Sequence, residues 1–220
     1  MNDVVESASD SGTAALTPAF FDWWYAPWDY AAQSEHGPIS ADADLLARRD
    51  GYRLWCDAAR VMADFPPSFD PLWSIAATDD AGQFATSLAL FAGVIAAREH
   101  NNRILDQLGF ADRKWCISLA STQPLRRAGK SESDDGESIE LQGAVELAVR
   151  LQSGFRGLWS RLRLLLTPQQ AEQIGKLLPH ANTLAAGVGV ARAQRCWRMC
   201  SGRARSASPA TGSALAYRRS

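Results

Sequence analysis

Seven of the eleven residues from Phe20 to Tyr30 are aromatic: Phe20, Phe21, Trp23, Trp24, Tyr25, Trp28 and Tyr30. A packed ring of this kind buries roughly 150–250 Å², so the run has to dock, on the chain's own core or on a partner. We assign Trp23, Trp24, Trp28 and Tyr30 as candidate partner-binding residues on that ground.

The rest of the chain sets the terms of that docking. With 46% apolar and 21% charged residues in a length of 220, one domain with a real core is expected and disorder throughout is excluded. The net charge of -1 conceals a split. Ala191 to Ser220 carries seven arginines and no acid, which leaves 16 basic against 24 acidic side chains, net -8, in residues 1 to 190. The body should avoid nucleic acid, and the tail can touch phosphate or acidic protein surfaces. The start, with Asp3, Glu6 and Asp10 and no basic residue, is the opposite of a secretory leader. The longest apolar run, Ser87 to Ala97, is about half of the ~20 residues that a membrane span needs. A soluble, cytoplasmic chain is expected.

Helical periodicity dominates, so the fold expected is mainly α: a single irregular helical domain over residues 17–180, between a disordered leader (1–16) and a basic low-complexity tail (181–220). Thr17-Pro18 reads as a cap and first turn, and Pro27 interrupts the aromatic helix. Asp42 or Asp44 caps a second, amphipathic helix through Leu45, Leu46, Tyr52, Trp55, Ala59 and Met62, ending before Pro66-Pro67. Thr78-Asp79-Asp80 opens a central helix from Phe84 to Leu108, with Gly109 as its C-terminal glycine. Asp112 caps the next, through Trp115, Ile117 and Leu119.

Arg126 to Glu137 is a polar loop and the expected internal break. Helical spacing resumes from Ser138 to Leu162, with a kink or break expected near residues 154–157, where Gly154 and Gly157 fall. Arg161 to Leu166 alternates and could be a short β segment. Thr167-Pro168-Gln169-Gln170 carries a capping-box pattern for a last helix, halted by Pro179. Beyond Gly189 the composition turns to Arg, Ala, Ser and Gly, and this stretch is expected to be dispensable for folding.

No residue pattern assembles an active site, and no catalytic, cofactor-binding or metal-binding residue is assigned. Glu99 and His100 point about 100° apart on a helix and do not converge with Asp106. Cys196 and Cys200 sit one turn apart and could supply half of a metal site, but a structural zinc needs about four ligands. Cys56 and Cys116 read as small buried thiols inside helices, and Cys196 and Cys200 as incidental cysteines in a loose tail. Gly187-Val188-Gly189-Val190 lacks the remaining parts of a phosphate loop. Arg192, Arg195 and Arg198 share one face if helical, with Trp197 beside them. A small regulatory or nucleic-acid-associated protein using this arginine-rich tail is the alternative function.

Three stretches carry a resemblance: FFDWWYAPWDY (20–30), SLALFAGVIAAREHNNRILDQLG (87–109) and VRLQSGFRGLWSRLRLLLTP (149–168). In pattern and order they resemble the SctK/YscK family, accessory proteins of bacterial type III secretion sorting platforms, and its NolU-like rhizobial nodulation branch. The resemblance implies that residues 17–180 form a non-enzymatic scaffold adaptor. Its implied partners are the cytoplasmic domain of the inner-membrane ring, the pod protein and the ATPase-stator complex. It implies a cytoplasmic location at the inner face of the inner membrane, held there by protein partners, with no cofactor, no nucleic acid and no direct membrane insertion.

Overall fold

A computed structural model describes residues 16–32, 44–128, 138–178 and 189–207. The helices are α1 Pro18–Tyr25, α2 Leu45–Ala58, α3 Ala81–Glu99, α4 Asn102–Leu105, α5 Phe110–Thr122, α6 Ile139–Gly154, α7 Leu158–Leu162, α8 Pro168–Leu177 and α9 Val190–Ala207. Short 3₁₀ turns at Pro27–Asp29, Pro71–Ala76 and Arg163–Leu165 join them, and no strand occurs among the described residues. The leader before Leu16, residues 33–43, Pro179 and the residues after Ala207 lie outside the described residues.

Local chemistry starts the helices where the sequence says it should. The side chains of Thr17, Asp44, Asp80 and Ser138 each accept a backbone N–H in the first turn of α1, α2, α3 and α6, satisfying a donor that the helix cannot. Thr167 and Gln170 close a reciprocal capping box at α8. Three expectations fail at helix ends. The central helix stops at His100, whose backbone turns left-handed (φ 57°), and the chain restarts as α4. Gly109 is therefore the residue before α5, and Asp112 sits inside the first turn of that helix without capping it. Arg161 to Leu166 is helical turn and 3₁₀ turn, not β, because Leu158, Trp159, Leu162 and Leu165 all face the core on a helical repeat. The break near 154–157 is present: α6 ends at Gly154, and Gly157 takes φ 84° before α7.

α3 is the axis of the fold. Ser87 to Ala96 is buried without interruption, because α5, α6 and α9 pack around it. Its 19 residues and mean hydropathy of 1.2 meet the length and composition of a membrane span, yet three helices enclose it here. α6 crosses it closely at Gly143, where an added Cβ would lie 2.0 Å from the Leu88 carbonyl oxygen.

The largest correction concerns the C-terminal region. Residues 190–207 are not a low-complexity tail but an 18-residue helix of the core. Ala193, Cys196, Trp197, Cys200 and Ala204 recur at three- and four-residue steps and are buried against α3. Trp197, 1% exposed, meets Phe91 edge-on at 5.5 Å and Phe84 at 6.2 Å. Small residues on either side of one large ring let this helix approach closely while its outer face stays charged.

Polar side chains tie down two further places. Glu146 and Arg150 form a buried ion pair on α6; the Ala128 N–H donates to Glu146 Oε2 at 2.9 Å, and Arg150 Nη2 donates to the Arg126 carbonyl at 2.8 Å. The polar loop expected from Arg126 thus begins pinned, with Ala128 buried, and its residues 129–137 lie outside the described ones. At the other end Arg161 is buried, donating from Nε to the Trp24 carbonyl (2.9 Å) and from Nη2 to the Tyr52 hydroxyl (2.9 Å), with its guanidinium 3.5 Å from the Trp24 ring centroid. A cation at the C-terminal end of α1 suits the partial negative charge of its free carbonyls.

Candidate docking groove between the first two helices

α1 carries aromatic pairs four residues apart on two faces, and an eight-residue helix docked on one side leaves the other outside. Phe20 and Trp24 form the inner pair. Trp24 is 0% exposed, stacked on Phe155 at 5.6 Å and edge-on to Phe65 at 4.9 Å. Phe21 and Tyr25 form the outer pair, and Tyr25 is 45% exposed.

Of the four residues assigned to partner binding, Trp23, Trp24 and Tyr30 lie away from the groove that α1 forms with α2. Trp24 and Tyr30 are core. Trp23 is half-buried, donates its indole N–H to the Thr78 carbonyl at 2.9 Å, and stacks on Tyr30 with centroids 5.0 Å apart. Trp28 is half-buried against Trp55 (5.7 Å) and Tyr52 (6.3 Å). Three of the four are thus held by internal contacts, and Trp28 alone also faces the groove that α1 forms with α2.

That groove has a volume of ≈ 540 Å³, with Phe21, Tyr25 and Trp28 on one wall and Leu45, Arg48 and Tyr52 on the other. Its apolar character has a structural origin in α2. Tyr52, Trp55 and Cys56 attach that helix through a small cluster with Val61, Trp28 and Leu164, and Arg53 pairs with Asp64 at 3.3 Å. Leu45 lies on the same stripe, seven and ten residues before Tyr52 and Trp55, so the apolar face continues past the point where the body ends. Leu45 is 84% exposed, contrary to the expectation that the helix would bury it. The sequence held a signal for this: Asp44 caps the helix, which makes Leu45 its first residue and carries it away from the core.

Beneath the groove the polar groups are shielded. Burial pushes the Tyr30, Tyr52 and Cys56 pKa values up and that of Arg161 down, while Arg161 partly offsets the shift in the two tyrosines. Tyr52 donates its hydroxyl to the Ala63 carbonyl at 2.9 Å, so it is occupied as a brace. The lining also carries the Asp22 carboxylate, but among the described residues no cysteine, serine, threonine or histidine stands in it for that carboxylate to activate.

The remaining candidates do not assemble chemistry either. Glu99 pairs with Arg127 at 3.1 Å, Asp106 pairs with Arg113, and His100 ends α3. Cys56, Cys116, Cys196 and Cys200 are free, buried thiols. Among the described residues no three potential ligands converge as a metal site. No protein-family model, curated protein or solved structure matches this chain.

The thiols make a pH-dependent prediction. Burial pushes Cys116 from an ordinary 9.0 up to about 12, and also raises Cys196 and Cys200. Above pH 9 an unfolded chain releases protons that the folded chain retains, so stability is constant on this account up to about pH 9 and falls as pH rises towards 12. Denaturant midpoints across that range check it, and a midpoint that rises with pH contradicts it. A thiol reagent at neutral pH should label the four cysteines only after unfolding.

Proposed function

We propose that this protein is a non-enzymatic cytoplasmic adaptor of a bacterial type III protein secretion system, joining the inner-membrane ring to the sorting platform. The resemblance of its three stretches to the SctK/YscK family supplies the system. The observation that carries an adaptor role is the exposed apolar ledge of Phe21, Tyr25 and Leu45 beside a mainly apolar groove. Large aromatics set in a concave apolar surface are what protein interfaces use as anchors. In this reading the partners are the cytoplasmic domain of the ring, the pod protein and the ATPase-stator complex, and the chain is held at the inner face of the inner membrane through them.

The test is binding of the purified chain to each of those partners, with wild type compared to the Phe21→Ala/Tyr25→Ala double variant. Phe21 is 38% and Tyr25 45% exposed, yet Phe21 touches Phe65 and Tyr25 touches Tyr52, so a modest drop in thermal stability is expected and affinity is compared at a temperature where both proteins are folded. Affinity for one partner should fall by roughly thirtyfold, as for loss of a central anchor. Unchanged affinity for every partner contradicts the proposal.

A further inference from the structure

α9 divides cleanly. Its buried arc holds Ala193, Gln194, Cys196, Trp197, Cys200, Ser201 and Ala204, and its outer arc holds Arg192, Arg195, Arg198 and Arg205, all exposed, with Met199 at 45%. The helix has no acidic residue. The four arginines run along one side for about 20 Å at 1.5 Å per residue. Arg192 also donates to the Pro124 carbonyl at 3.1 Å, while Arg195, Arg198 and Arg205 make no ion pair among the described residues.

We infer that this face is a docking surface for an acidic helical segment of a partner protein, with carboxylates repeating every three to four residues. Charge complementarity fixes the class of partner, and two observations favour protein over nucleic acid. Trp197, the one aromatic ring of α9, is buried in the core and offers no platform on which a base could stack. The helix also shows how its arginines pair: Arg203, turned inward, brings Nε (2.8 Å) and Nη2 (2.6 Å) onto one oxygen of Asp112, Oδ1, while lying 5.2 Å from the Trp115 ring centroid. A guanidinium grips a planar carboxylate with two donors, which an ammonium cannot do. Met199, set among the exposed arginines, adds an apolar contact for a helix lying across it.

The inference does not depend on the secretion assignment, and loss of groove binding in the Phe21 and Tyr25 variant would leave it untouched. The probe is a fluorescein-labelled helical peptide of repeated Glu-Ala-Ala-Glu-Ala-Leu-Ala, titrated with the full chain and followed by anisotropy. An oligothymidylate of similar length and phosphatidylglycerol vesicles serve as competing probes. Wild type should bind the peptide more tightly than either competitor, and the Arg195→Gln/Arg198→Gln/Arg205→Gln variant should bind it about tenfold more weakly, as expected for three exposed ion pairs. Binding should also weaken as salt rises from about 50 to about 200 mM. Because the three side chains are exposed, the variant's melting temperature should match wild type. Tighter binding of the oligonucleotide or the vesicles, equal peptide binding by variant and wild type, or no peptide binding at all would each overturn the inference.

Discussion

A chain ending at Gly189 is expected to lose its cooperative thermal transition. Removing α9 strips the cover from one flank of α3, leaving Phe84 and Phe91 without the Trp197 ring, and takes Trp197, Cys196 and Cys200 out of the core. Trp197→Ala alone should cost about 3–5 kcal/mol, as large aromatic truncations in cores do. That is a large share of the ~5–15 kcal/mol that separates a folded domain from its unfolded chain. Circular dichroism melting of the truncated chain checks this. A transition at the full-length temperature would show that α9 is an appendage.

Gly143→Ala should destabilise the protein by about 3 kcal/mol, and Gly143→Val by more. Two effects oppose each other at this position. Alanine is the better helix former by ~1 kcal/mol, and on an exposed helix that gain would be visible. Here the new methyl would stand 2.0 Å from the Leu88 carbonyl oxygen and 2.6 Å from its carbon, which are backbone atoms that no rotamer change can move aside. α3 and α6 would have to separate, loosening Leu88, Leu147 and Leu151, all fully buried at that crossing. Overpacking of this kind costs ~1–3 kcal/mol and more when backbone must shift. Chemical denaturation reads the sign directly, and a stabilised alanine variant would mean that the two helices do not meet at Gly143.

The sequence exposed most of the helical framework because capping is local. Thr17, Asp44, Asp80, Ser138 and Thr167 act on the N–H groups of the next turn, and nothing distant is needed to recognise them. What it hid depends on packing. α9 was read as a tail because its composition is rich in Arg, Ala and Ser, but its buried stripe is built from Ala, Cys and one Trp. Such a stripe scores poorly as apolar and succeeds only because α3 offers a continuous apolar surface to receive it. The end of α3 at His100 was illegible for a similar reason: the periodicity runs on to Leu105 and Leu108, which bury themselves from a different turn.

The aromatic segment teaches the same point at the candidate site. Its ring density announced that it docks, but not which rings face inward. Trp24 goes to the core because Phe65, Phe155 and Arg161 meet it there, Tyr30 is buried with Trp23 stacked on it, and Phe21 and Tyr25 stay at the surface. Leu45 became exposed because Asp44 starts α2 before the body can cover it.

The proposed adaptor role requires that this chain hold two components of a secretion apparatus at once, which light scattering of a three-component mixture reads out. The purified chain, the cytoplasmic domain of the inner-membrane ring and the pod protein are mixed and separated by size. The expected result is a species whose mass includes all three, which forms only when this chain is present and is reduced by Phe21→Ala/Tyr25→Ala. Two mutually exclusive pairwise complexes, or no complex with either component, would contradict it.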